Sequence, residues 1–165
     1  MENLLNKESV KRVSKKLKEF DSKLEVLVLD TSARTAQDAA KSLGTEVGSI
    51  IKSLFLRTKN SFLLCLVAGD KRCSLNKIKK ILNEKDVSMG SAEQVKEITG
   101  FTIGGVSPVG HLSPLKIYID QSLERFPNIF GAAGHPNCVF KINFENLLKI
   151  TQGEIKDIVE WGNQS

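Results

Sequence analysis

Groups able to do covalent or metal chemistry are scarce in these 165 residues. Three cysteines, Cys65, Cys73 and Cys138, make an odd number without metal-ligand spacing, which argues against a disulfide framework or a zinc site and points to a reducing compartment. Cys65 falls in the apolar run 62–67 and reads as a small buried hydrophobe. The two histidines, His111 and His135, have no second histidine or carboxylate at ligand spacing, so no metal and no cofactor are expected. No nucleophile elbow surrounds a serine, and no cysteine is flanked as a catalytic one is. Internal repeats and low-complexity linkers are missing too. The N-terminus shows no apolar signal core and no apolar run is long enough to cross a bilayer, so no membrane partner is expected and the cytoplasm is the natural location.

What is present suits an ordinary folded domain. The apolar share of 41% and charged share of 26% exclude a disordered chain. The length is enough to bury a core without staples; a loose tail over 1–8 and one domain over 9–160 are expected. The formal net charge is +5 and the isoelectric point about 9.1. That modest excess fits brief contact with a polyanion, because each cation near a phosphate releases counterions. It fits a solvated basic surface equally well.

Local patterns predict helices interleaved with at least six short strands. Ser9 is placed to cap a helix whose apolar residues Val10, Val13, Leu17 and Phe20 recur at helical spacing. Its other face carries Lys11, Arg12, Lys15, Lys16 and Lys18, which either touch RNA or are merely solvated. Residues 25–29 read as a strand. Thr35 caps a helix over 36–43 that stops at Gly44, and residues 50–56 and 62–67 form a hairpin around the turn 58–61. Ser74 caps a helix with Leu75, Ile78, Ile81 and Leu82; Ser91 and Gln94 form a capping box before a helix ending at Gly100. Strands follow at 116–120, 128–132 and 139–142. Asn143 caps a last amphipathic helix, and a short helix is expected near Trp161. The mixture implies an α+β domain with a mixed, mostly antiparallel sheet.

Three features stand apart from this frame. Lys52 is the one charge inside an apolar strand run, so it either faces water from an edge or lines a polar pocket, where it would be aimed at a phosphate or an oxyanion. The segment Gly104-Gly105-Val106-Ser107-Pro108-Val109-Gly110 is either a tight connection or a turn whose amides approach a ligand. It matches neither a Walker loop nor the dinucleotide fingerprint. The small residues of Gly131-Ala132-Ala133-Gly134-His135-Pro136-Asn137 again suggest close approach of backbone to something, another strand or a ligand.

Taken in order, these segments resemble the YbaK/EbsC family, the free-standing relatives of the editing insertion of bacterial prolyl-tRNA synthetase. The likeness runs over about 9–158 and is carried by Arg34-Thr35-Ala36-Gln37-Asp38-Ala39-Ala40, Ile51-Lys52-Ser53-Leu54, Ala68-Gly69-Asp70-Lys71-Arg72, Thr99-Gly100-Phe101-Thr102-Ile103 with the glycine loop, and Ala132 to Asn137. The resemblance implies a sheet curled into an incomplete barrel with helices around it. It also implies a deacylase that frees tRNA of a wrongly attached amino acid, with the tRNA acceptor end as partner and association with an aminoacyl-tRNA synthetase admitted. Lys52 is the implied catalytic residue; Gly104, Gly105, Val106, Ser107, Pro108, Gly134 and His135 are the implied substrate-binding set. A small pocket walled by Val106, Pro108 and residues near Ala132 and Gly134 would take alanine, cysteine, serine, threonine or 2-aminobutyrate, on tRNA-Pro or a similar tRNA. The basic residue common after the glycines in the cysteine-specific branch is replaced by His135, which brings the chain closer to the EbsC-type branch. An activated ester needs only a positioned water and a stabilised oxyanion, so the missing nucleophile is consistent with this chemistry. The competing expectation is a non-catalytic tRNA-binding paralogue using the same pocket.

Overall fold

A hairpin buried on both faces organises the computed structural model, which describes residues 3–161. Strand β2 (Ile51–Arg57) pairs antiparallel with β3 (Phe62–Ala68), Ile51 opposite Ala68 and Arg57 opposite Phe62. β3 is apolar along its whole length because it separates two cores. Leu64, Leu66 and Ala68 enter the larger one, whereas Leu63, Cys65 and Val67 enter a smaller one with Ile78, Tyr118 and Ile158.

Around this hairpin a five-stranded sheet is built in the order β4-β2-β3-β5-β8, with β4 at Ser88–Met89, β5 at Lys116–Asp120 and β8 at Glu154–Lys156. The pairings of β5 with β3 and β8 are parallel, and those of β2 are antiparallel. A second, three-stranded antiparallel sheet has the order β1-β7-β6, from Val26–Val28, Cys138–Ile142 and Ile129–Ala132. One parallel bridge, Ile50 to Phe130, links the two sheets, and they do not close into a barrel. The result is the mixed, mostly antiparallel α+β architecture expected, curled but open.

Five α-helices are described: α1 (Glu8–Phe20), α2 (Ala36–Leu43), α3 (Leu75–Leu82), α4 (Ala92–Thr99) and α5 (Phe144–Thr151). Thr35, Ser74, Ser91 and Asn143 each accept a bond from the third helical amide, and Gln94 completes the capping box at Ser91. None of the five is long and apolar enough to cross a membrane.

Three local expectations change. Helix α1 starts after Lys7, so Ser9 lies inside its first turn; its hydroxyl instead donates to the Gly134 carbonyl at 2.8 Å. Residues 4–6, expected in a loose tail, form a short 3-10 turn with Leu4 packed on the larger core; residues 1 and 2 lie outside the described residues. Among the described residues, no helix follows α5, where a short one was expected near Trp161. Residues 154–156 add a strand to the edge of β5 instead, and buried Asp120 accepts the Ile158 amide at 2.8 Å, so pairing of an open sheet edge overrides local helical preference.

Candidate functional site

A cavity of about 430 Å³ is lined by residues of both sheets, including the bridged pair Ile50 and Phe130. Residues 51–55 of β2 and 130–132 of β6 line it, together with the start of α2 and residues 103, 104 and 106 of the glycine loop. Met89 and Ile103 also line it and are 55% and 64% exposed, so they belong to its mouth. The walls hold two cations, Lys52 and Arg34, and no carboxylate.

Lys52 is half-buried on β2 and donates from Nζ to the Lys71 carbonyl. Lys52 is one of the residues lining the cavity, on a strand with neighbours on both sides, and its ammonium is turned to the Lys71 carbonyl rather than to open water. Burial lowers its pKa, while Cys73 and Asp70 nearby act in the opposite direction. Asp70 does not pair with it, because Arg125 holds both Asp70 oxygens at 2.6 and 3.0 Å. That bond keeps the Asp70 carboxyl below the ordinary carboxylate range, against burial, which acts in the opposite direction. Beside Lys52, the Ser53 hydroxyl is buried against the cavity and has no hydrogen-bond partner in the protein. An orphaned buried hydroxyl costs free energy unless a ligand or water meets it.

The glycine loop is split between lining and support. Gly104 and Val106 face the cavity. The turn begins with the Gly105 amide donating to Thr102 at 3.0 Å and puts Gly104 at φ +98°, which favours glycine. Gly105 lies behind: its carbonyl accepts the Gly134 amide at 3.0 Å, and a Cβ there would meet the His135 nitrogen at 2.9 Å. Ser107 is fully buried, with Oγ accepting the Val109 amide. Pro108 packs beneath β6, its Cδ 3.2 Å from where a Gly131 Cβ would stand. These side chains shape the wall without reaching its inner surface.

Gly134 and His135 are not among the lining residues either. Gly134 abuts the α1 backbone at Ser9, and His135 Nδ1 accepts the Asn137 amide at 3.0 Å. The same turn carries the chain that leads to α2. The Pro136 carbonyl accepts the Ala33 amide at 2.6 Å, and the Asn137 carbonyl accepts that of Leu29 at 2.7 Å. Of the eight residues predicted for the site, the cavity thus gathers Lys52, Gly104 and Val106 on its surface and holds the other five just behind.

Arg34, Ser53, Met89 and Ile103 were not singled out individually in the sequence. Ser53 follows Lys52 on a strand, so alternation sends the two side chains to opposite faces, and local sequence does not mark Ser53 as a residue bordering the same cavity. Arg34 precedes a helix cap and carries no local mark. Among the described residues no cluster of three His, Cys, Asp or Glu side chains suits a metal ion.

Comparison with known proteins supplies the family. The family model described as an aminoacyl-tRNA editing domain matches residues 30–150, which contain all the cavity residues. The Bacillus subtilis protein YwhH, which is uncharacterised, is 30% identical over 89% of this chain and 94% of its own length. EbsC of Enterococcus faecalis, a candidate Cys-tRNA(Pro)/Cys-tRNA(Cys) deacylase, is 27% identical over 75% of this chain and 76% of its own. The proline–tRNA ligase of Thermosipho melanesiensis is 32% identical over 80% of this chain, which corresponds to only 23% of the ligase. A crystal structure of a candidate trans-editing enzyme for prolyl tRNA synthetase superposes with a TM-score of 0.88 at 36% identity, covering 94% of this chain and 99% of that one. The cavity, its lysine and the loops that frame them therefore sit within a known kind of domain, and this chain belongs to the aminoacyl-tRNA editing domain family.

Proposed function

We propose that this protein is a trans-editing deacylase that hydrolyses the ester between a small amino acid and the 3′ end of a mischarged tRNA. The observation that carries the reading is the cavity itself: a largely apolar space bordered by a half-buried lysine, with no nucleophilic thiol and no carboxylate among its lining residues. An aminoacyl ester is already activated, so such a site needs only to hold the ester, admit one water and stabilise the oxygen on which charge develops.

In this mechanism Lys52 faces the ester oxygen. Its desolvated ammonium gains more from an electron-rich oxygen than an exposed lysine does. The ribose hydroxyl of the substrate helps to activate the water. Gly104 and Val106 bound the amino-acid end, while Ser107, Pro108 and His135 keep their segments in place. Small aliphatic walls at Ala132, Val106 and Val139 favour a short side chain. A second site of this kind is useful because one methylene in an apolar pocket is worth only about 1–3 kcal/mol of discrimination, too little for a synthetase to reject every near-sized amino acid.

The names of the relatives make tRNA-Pro the first carrier to try. Deacylation of tRNA-Pro charged with alanine, cysteine, serine, threonine or 2-aminobutyrate is the direct measurement. Release of at least one of them, with Lys52→Ala at least a hundredfold slower and its circular dichroism unchanged, is the expected result; the fold-change follows from the typical weight of one electrostatic group at a reacting oxygen. Binding of tRNA without ester hydrolysis would replace this reading by that of a non-catalytic binder.

A further inference from the structure

Arg34 occupies the cavity mouth on the connection between β1 and α2, one residue before the cap Thr35. Its backbone is held by two bonds at and just before it. The Ala33 amide donates to the Pro136 carbonyl at 2.6 Å, and the Arg34 amide donates to Ser32 Oγ at 3.3 Å. Its aliphatic stem lies over the glycine turn, Cγ only 3.3 Å from where a Gly104 Cβ would be. Both segments singled out in the sequence, the glycine loop and the Gly-His-Pro-Asn turn, thus converge on placing this one side chain.

Its charged end is unlike those of the other arginines. Arg57 pairs with Asp86, Arg72 with Glu160 and Arg125 with Asp70, and Arg12 donates to the Gly110 and Thr99 carbonyls. Among the described residues the Arg34 guanidinium alone has no such partner, and the residue is exposed. With no carboxylate among the lining residues, its charge adds to that of Lys52 at the cavity. The same cavity is bordered by the exposed apolar side chains of Ile103 and Met89. A fork of donors beside exposed aliphatic surface matches a nucleotide, which offers phosphate oxygens and the face of a base.

We propose that Arg34 is a positioning residue: its guanidinium holds a backbone phosphate at the RNA 3′ end while the terminal base rests on Ile103 and Met89, so that the ester is delivered to Lys52. The inference rests on the deacylase reading above and divides the work between the two cations. Lys52 serves the ester inside; Arg34 serves the phosphate outside.

The test compares two esters of the same amino acid, one on tRNA and one on adenosine, which has no phosphate. In Arg34→Gln, KM for the charged tRNA is expected to rise about tenfold more than KM for the adenosine ester, the loss of a charge-assisted contact. The change falls on KM rather than kcat, and Arg34→Lys recovers part of it. The slope of log KM against log salt should drop by about 0.7, the value for one phosphate on a single strand. Equal losses on both esters, a loss confined to kcat, or no loss would overturn the inference. If the wild-type protein hydrolyses neither ester, it is the deacylase reading that fails. Binding of uncharged tRNA, followed by fluorescence anisotropy, then decides: weakening of about tenfold in Arg34→Gln sustains the phosphate contact and equal affinity overturns it.

Discussion

At the scale of single residues, charge and burial set the chemistry of this domain. His111 is half-buried against Phe101, and its Nε2 donates to the Ser107 carbonyl at 2.7 Å. Burial lowers its pKa below the ordinary 6.5; the bond to Ser107 opposes this and the charge of Arg12 adds to it. The folded protein therefore takes up this proton less readily than the unfolded chain. Stability tied to His111 is complete above about pH 6.5 and declines as pH falls through that value toward the lower folded pKa. Between about pH 7.5 and about pH 5 the melting temperature should fall less in His111→Gln than in the wild type, and equal falls would refute this account. Lys52 was legible in the sequence as the lone charge of an apolar run. Arg34 was not, because lacking a partner is a property of the folded surroundings and leaves no trace in the adjacent residues.

Elements with strong local chemistry were legible. The caps at Thr35, Ser74, Ser91 and Asn143 depend on contacts three residues away, and each forms as its spacing predicts. The hairpin of β2 and β3 follows from two apolar runs around a polar turn. Strands β4 and β8 were not legible: two and three residues long, they exist because a neighbouring edge accepts them. The loops show the same dependence. A Cβ at Gly105 would meet backbone atoms of Gly134 and His135 at 2.9–3.1 Å, so the glycine loop and the second turn cannot separate independently. Gly105→Ala is expected to destabilise the protein by about 1–3 kcal/mol in urea unfolding, the usual cost of overpacking. It should also slow deacylation, since both segments that seat Arg34 would move. A variant as stable as the wild type would show that these loops are not locked together.

For the whole molecule, the larger core decides cooperativity. It joins Leu64 and Leu66 of the five-stranded sheet to Ile129, Phe140 and Ile142 of the three-stranded one, under Val10, Val13 and Leu17 of α1. Phe140 is fully buried there and touches the cavity wall, its ring 3.1 Å from where a Gly131 Cβ would stand. Phe140→Ala should cost about 3–5 kcal/mol and still give one unfolding transition, because both sheets share the surface it leaves. Two separate transitions would mean that the sheets stand apart energetically. The amino-acid sequence by itself determined the five helices that form, the long strands, the isolated lysine and the family, since these depend on residue types at short, regular spacing. Only the tertiary structure decided which residues face the cavity. That cavity is lined by β2, β6, the start of α2 and the glycine loop together, and no periodicity along the chain encodes where these distant segments meet.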